Sequence, residues 1–493
     1  MAFLKFKANI LFSLVVCLLH GASLGIQSDA QEKKSTHLEL RNVLFIVLSQ
    51  HDDFHVKEAD SFKIAFNEQL KSTEKAQQPK LLFTHRDFVD VKGAWAVLPL
   101  IQHVVHISEE QPISWVFICE EDTRVNLTGL VSLLQKFDPS QNHFLGRELR
   151  DQETTIIHHF AFPDNPSQFA YPDFRAGLVL SNALIHDLHE RFESTKQRTD
   201  FSIDPKHELA MFIWNEDSGQ RLTHVKEFCS SLESVESWCV TTQISRFPEC
   251  GQPIEKDDIV VAVKTCAKFH ESRVPIVKQT WGKEAEIIEY FSEVEDATIP
   301  TIDLGIPNTK RGHCGKTMAI IKRVSKHPLL TGKLWLLIAD DDTIINLDQL
   351  RYLLSCYNPK QPVALGERYG YGLLRGGGYD YITGGGGMVF SQRARDLLAD
   401  RCKCYTYDAP DDMTLGMCLK SIGIPLTHSR FFHQARPEDY SPAFLANQVP
   451  VSFHKHWNTD PLRVYADLIA VGTAHAERKQ ERTSGEKARK VEL

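Results

Sequence analysis

Residues 115–148, WVFICEEDTRVNLTGLVSLLQKFDPSQNHFLGRE, align without a gap on residues 335–368, WLLIADDDTIINLDQLRYLLSCYNPKQPVALGER, at a constant offset of 220, with 13 of 34 positions identical. Self-similarity of that length requires a fold in which one unit occurs twice. The match continues outward with small changes of register: Val43–His55 against Ile259–His270, Arg175–Ser181 against Gly385–Ser391, Asp204–Phe212 against Ala409–Met417, and LTH at Leu222–His224 and Leu426–His428. The chain of 493 residues, too long for one core, therefore reads as two copies of a domain of roughly 200 residues.

Within each copy short apolar runs alternate with helical patterns. Ile259–Val263 and Leu334–Ala339 read as buried strands and Leu347–Tyr357 as a helix, which predicts an α/β sandwich around a mostly parallel sheet. Ligands of such sheets bind outside the carboxyl ends of the strands. The expected layout is a signal peptide at 1–25, a first domain at 38–228, a Cys-containing linker at 229–256, a second domain at 257–472 and a charged tail at 473–493.

The ends of the chain point to a compartment. Lys5 and Lys7 precede the apolar run Ile10–Leu19 and the small residues HGASLG, the form of a secretory signal peptide cleaved within Ala22–Gly25. That run falls short of the roughly 20 residues a membrane span needs, and no later run is longer. The last residues, KVEL, resemble the KDEL class of retrieval signals read by a receptor, so the expectation is a soluble resident of the endoplasmic reticulum lumen. Loss of Cys17 with the signal peptide would leave ten of the eleven cysteines, some of them paired, with the connectivity open and no zinc-ligand spacing among them. Asn126-Leu127-Thr128 is a sequon, making Asn126 a candidate for N-glycosylation. A net charge of −8 and the absence of a basic stripe exclude a nucleic-acid binder.

The repeat also separates fold from chemistry. Asp340-Asp341-Asp342 corresponds to Glu120-Glu121-Asp122, Asp411-Asp412 to Lys206-His207, and the run Thr383–Met388, TGGGGM, shrinks to the single Gly177. The second copy is thus the candidate for catalysis and the first a degenerate one. Three adjacent carboxylates at a strand end suit a hard divalent cation shared with a diphosphate, or else form a solvated turn before a helix. Gly385 and Gly386 allow backbone to approach a ligand closely. Of Asp411 and Asp412 one could cap the following helix and the other act as a general base. His454 could supply a nitrogen to the same cation. GHCGKT at Gly312–Thr317 has too few residues between its glycines for a P-loop.

VAVKTCAKFHESRVPIVKQTW (Val261–Trp281), DDDT, TGGGGMVFS, PDDMTLG (Pro410–Gly416) and VSFH (Val451–His454) occur in the order and spacing of the fringe-like β-1,3-glycosyltransferases, and across about 200 residues the second copy resembles that family. The resemblance implies two tandem GT-A-like nucleotide-sugar-transferase domains from an internal duplication, a manganese ion or another divalent cation, and UDP-glucose as donor. It implies Asp342 and His454 as metal ligands with Asp340 beside them, Asp340, Asp341, Thr265 and Arg273 at the donor, with the glycine run alongside, and Asp412 as catalytic base. The implied reaction is inverting transfer of glucose to the 3-hydroxyl of O-linked fucose on thrombospondin type 1 repeats. The alternative is a non-catalytic sugar-binding or quality-control protein of the endoplasmic reticulum.

Overall fold

Val43–Leu48 (β1) and Ile259–Lys264 (β7) are buried at every position, as strands of a largely parallel sheet covered on both faces must be. A computed structural model describes residues 38–194, 201–230, 238–243, 246–248, 250–375 and 377–491. The expected signal peptide and the end of KVEL lie outside them. In the N-terminal half the remaining strands of the main sheet are Leu81–Phe83 (β2), Trp115–Glu120 (β3), Phe144–Gly146 (β4), Leu178–Ser181 (β5) and Thr223–His224 (β6), in the order β2-β1-β3-β5-β4-β6. In the C-terminal half they are Ile287–Ser292 (β8), Thr301–Asp303 (β9), Trp335–Asp340 (β10), Ala364–Gly366 (β11), Met388–Ser391 (β12) and Thr427–His428 (β13), in the order β9-β8-β7-β10-β12-β11-β13.

Apart from the added edge strand β9, the two orders coincide, and so do the directions. β1 and β7 run parallel to both neighbours, while β5 and β12 run antiparallel to theirs. The registers agree residue by residue: Trp115 faces Ser181 as Trp335 faces Ser391, and Gly146 faces His224 as Gly366 faces His428. Apolar clusters cover both faces of each sheet, with Trp115 and Trp335 completely buried.

After β3 and β10 the chain turns through the acidic residues, makes a short second strand, and enters a helix capped by asparagine. Asn126 Oδ1 accepts from Gly129 N at 3.0 Å and Asn346 Oδ1 from Gln349 N at 3.0 Å. The second of these helices, Leu347–Leu354, stops one turn earlier than its apolar spacing suggests. The short strand Thr123–Val125 pairs with Thr241–Gln243, and Thr343–Ile345 pairs with Ser452–His454. Disulfides join Cys229 to Cys239, Cys250 to Cys356, Cys314 to Cys404 and Cys402 to Cys418, leaving, among the described residues, Cys119 and Cys266 as buried thiols. A long helix, Pro461–Val491, carries the chain through most of its charged tail. Among the described residues no helix is long and apolar enough to cross a membrane.

Candidate active site

β7 ends in a lysine although everything before it is apolar, and a buried ammonium must be paired. Lys264 lies beside Asp340 in the β7–β10 register, with Nζ 3.0 Å from Asp340 Oδ1 and 2.6 Å from Asp411 Oδ2. Burial lowers the Lys264 pKa, but Asp340 and then Asp411 outweigh it and hold the ammonium above the usual lysine range. Asp411 also accepts from Thr317 Oγ1 at 2.6 Å, so it anchors the start of helix Asp411–Ser421 from its side and caps nothing.

The acidic turn is not solvated. Asp341 is 3% and Asp342 9% exposed. Asp341 accepts from Thr265 Oγ1 at 2.7 Å and from Arg273 Nη1 at 3.0 Å, and burial raises its pKa to about 6. Asp342 Oδ1 lies 3.1 Å from His454 Nε2, and Asp342 Oδ2 lies 2.9 Å from Arg273 Nη1. Burial pushes the Asp342 carboxyl up, but His454 and Arg273 outweigh it and hold the group well below the usual carboxylate range.

Asp340, Asp342 and His454 each present a ligand atom, all within 4.8 Å of one another. His454 Nδ1 donates to Gln434 O at 2.9 Å, which leaves Nε2 aimed at Asp342 as a metal-ligating imidazole requires. Gly385 fits under that ring, and a Cβ there would fall 2.4 Å from it. Gly385 O accepts from Thr343 Oγ1, Gly386 N donates to Gln434 Oε1, and Gly384 N donates to Asp412 Oδ2 at 3.4 Å. Two carboxylates and an imidazole in this arrangement fit a divalent cation such as manganese. The glycine run therefore bridges the triad and Asp412.

Asp412 is the partly open acid of its pair. Its pKa is raised to about 6 by burial and then by neighbouring Asp411, so it is basic enough to take a proton near neutrality. Every expected site residue of the C-terminal half is thus brought together: Thr265, Arg273, Asp340, Asp341, Asp342, Gly385, Gly386, Asp412 and His454. Lys264, Thr317 and Gln434 join them. The lysine had a visible signal, a charge closing a buried strand; the other two had none. Lys316 and Thr317 of GHCGKT serve internal bonds, to Thr265 O and Asp411.

A cavity of about 530 Å³ lies at the other acidic turn, between the two halves. There the cation position is filled by side chains. Arg430 Nη1 reaches Glu120 Oε2 at 2.8 Å, Arg430 Nη2 reaches Asp122 Oδ2 at 2.8 Å, and Arg175 Nε reaches the same oxygen at 2.7 Å. His55 pairs with Glu121. The strand register supplies a counterpart to His454 that sequence comparison does not find: Gln243 faces Thr123 as His454 faces Thr343, and its side-chain amide is buried without a partner. Asp151, His158 and His207 also lie close enough to hold a metal, but both nitrogens of His158 are taken, by Asp151 at 2.6 Å and Asp204 at 3.1 Å. That group is an ion-paired clamp.

The Fringe-like family model matches residues 47–246 and again 254–471. The chain belongs to the Fringe-like family. It is 50% identical over 450 residues to a human β-1,3-glucosyltransferase, covering 90% of this chain and 89% of that protein, and 50% identical over 435 residues to the mouse one, covering 88% and 87%. Human lunatic fringe, a β-1,3-N-acetylglucosaminyltransferase, is 26% identical over 211 residues, covering 37% of this chain and 54% of that protein. The two separate matches of one family model agree with the two coincident sheets.

Proposed function

We propose that this Fringe-like protein is a metal-dependent, inverting β-1,3-glucosyltransferase that moves glucose from UDP-glucose to the 3-hydroxyl of O-linked fucose on thrombospondin type 1 repeats. The observation that carries the reading is the Asp340–Asp342–His454 triad linked through the glycine run to the half-open, weakly acidic Asp412 at the start of helix Asp411–Ser421. The resemblance in sequence to β-1,3-glucosyltransferases over nine-tenths of the chain supports the choice of sugar. Asp412 accepts the proton of the acceptor hydroxyl as that oxygen attacks the anomeric carbon, and a single base with direct attack inverts the configuration. Asp340, Asp342 and His454 would hold the cation, which when bound neutralises charge on the diphosphate as a Lewis acid. Asp341, oriented by Thr265 and Arg273, faces the ribose and sugar of the donor, with Gly385 and Gly386 alongside. Lys264 and Asp411 fix the helix end that presents Asp412.

The N-terminal half is read as a duplicated domain that kept its sheet and lost its chemistry. Arg175 and Arg430 stand where the cation would be, Gln243 where the imidazole would be and His207 where the base would be. Four disulfides support an oxidising compartment, consistent with the endoplasmic reticulum lumen and a KVEL retrieval receptor as partner.

The test offers UDP-glucose, UDP-galactose and UDP-N-acetylglucosamine, with manganese, to an O-fucosylated folded repeat. Transfer from UDP-glucose alone, abolished by EDTA and restored by manganese, is the expected result. No transfer from any donor would leave a sugar-binding protein instead.

A further inference from the structure

A small three-stranded sheet joins the two halves, and one of its faces is aromatic from end to end. Phe201–Ser202, from the N-terminal half, pairs antiparallel with Arg368–Tyr371, which pairs antiparallel with Tyr379–Ile382. Phe201 lies opposite Tyr371, Tyr371 opposite Tyr379, and Tyr369 opposite Tyr381. Directly opposed residues share a face. The ring centroids follow in sequence: Phe201 to Tyr371 5.1 Å, Tyr371 to Tyr379 5.8 Å, Tyr379 to Tyr381 6.5 Å, Tyr381 to Tyr369 6.2 Å.

The inner end of this row is buried and the outer end open. Tyr369 and Tyr381 are buried, Tyr371 and Tyr379 half-buried, and Phe201 is 37% exposed. The inner end meets the helix that begins at Asp411. Gly416 packs so closely that a Cβ on it would fall 2.4 Å from Tyr381 Cβ. Burial and then the charge of Asp412 raise the phenol of Tyr381, and Gly384 N, just beyond this strand, donates to Asp412. Exposed apolar side chains scattered singly are ordinary. Rings held in register from a candidate base to a strand of the other half are not scattered.

We propose that this aromatic face seats the acceptor glycoprotein, with its sugar ring against the half-buried Tyr379 on the Asp412 side and its polypeptide running outward over Tyr371 to Phe201. Phenol rings offer an apolar face to the C–H side of a neutral sugar and a hydroxyl to its oxygens. Three adjacent strands span roughly 10 Å, more than one sugar ring covers, so the outer rings remain for whatever carries the sugar. The N-terminal half then contributes to acceptor recognition through a single strand pair, and Phe201 is a positioning residue. The inference rests on the reading of Asp412 as the transferase base.

The test compares wild type with Phe201→Ala and Phe201→Trp on two acceptors, an O-fucosylated folded repeat and a simple aryl fucoside. In Phe201→Ala the KM for the repeat rises about tenfold with kcat held, while the KM for the fucoside and the melting temperature stay put, and Phe201→Trp restores the repeat. An unchanged KM for the repeat overturns the proposal. So does an equal loss on both acceptors accompanied by a lower melting temperature, which would mark Phe201 as merely structural. If wild type transfers to neither acceptor, the transferase reading itself fails and takes this inference with it.

Discussion

The two acidic turns close equivalent strands of equivalent sheets, yet their cationic neighbours leave different things open. Asp340–Asp342 meet a lysine on the adjacent strand, an arginine from the following segment and an imidazole, with ligand atoms left converging. Glu120–Asp122 meet two guanidinium groups, and Arg430 comes from the other half of the molecule. A buried carboxylate needs a cation. Where ligand atoms still converge beside the paired side chains, an ion can come and go and the site can do chemistry; where two guanidinium groups fill the place, one of them from the other half, the same carboxylates become a joint between the halves.

The sharpest way to break this comparison is at the base. Asp412→Asn should lower transfer by about a thousandfold with UDP binding nearly intact, the scale of a lost general base. The matching change His207→Asn, in the N-terminal half, should leave transfer within about threefold, the ordinary scatter of a change remote from the chemistry. The pH profile adds a second reading. With the Asp412 pKa raised to about 6, the base is lost by protonation as pH falls through that value. Below it kcat/KM should drop about tenfold per pH unit. An acid limb near the usual aspartate value would break the assignment, as would a transferring Asn variant.

The next effect is on folding. Arg430→Ala removes one of the two cations facing Glu120 and Asp122 and should cost about 3 kcal/mol in urea unfolding, because a buried charge is left under-compensated. A cost below about 1 kcal/mol, the level of an exposed pair, would mean the joint is a surface contact.

How much of this was legible beforehand follows a simple division. The repeat, the α/β layers and the strand-end placement of Asp340–Asp342 are periodicity and spacing, and both survive translation into structure. The second site carboxyl, Asp412, was visible because Asp411 and Asp412 are adjacent in sequence. The partners were not. Arg430 reaches Glu120 across 310 residues, and nothing local distinguishes it from a surface arginine. Gln243 has no sequence resemblance to the His454 segment, and only strand pairing sets the two in the same place. Which of Asp411 and Asp412 serves the helix was not legible locally, because the partners of Asp411, Lys264 and Thr317, lie 147 and 94 residues away.

A smaller effect sits in the His158 clamp of the N-terminal half. Burial lowers the His158 pKa, but the hydrogen bonds of Asp151 and Asp204 outweigh it and raise the value to about 9. A group whose folded pKa exceeds its unfolded value of about 6.5 stabilises fully below that value and loses the contribution as pH rises through 9. Urea unfolding should therefore weaken by roughly 2–3 kcal/mol between pH 6 and pH 10, beyond any trend shared with His158→Phe, which should lack this step. Asp204 corresponds to Ala409 in the C-terminal half, so the acid that closes this clamp has no counterpart there and the loss should appear first in the N-terminal half by hydrogen exchange.

The smallest effect sharpens the comparison most finely, at the two asparagine caps. Both accept from the backbone three residues on, but Asn126 is exposed whereas Asn346 is 2% exposed, its Nδ2 reaching Leu468 O at 3.5 Å. Asn126→Ala should cost about 1 kcal/mol, an N-cap alone. Asn346→Ala should cost about 2 kcal/mol, a cap plus buried polar atoms left without partners. Serine caps as well as asparagine does, so Asn126→Ser removes any glycan at the sequon and keeps the cap. A change in mass with no change in melting temperature would separate the two duties of that side chain. A fall in melting temperature equal to that of Asn126→Ala would assign the stability to something other than the cap.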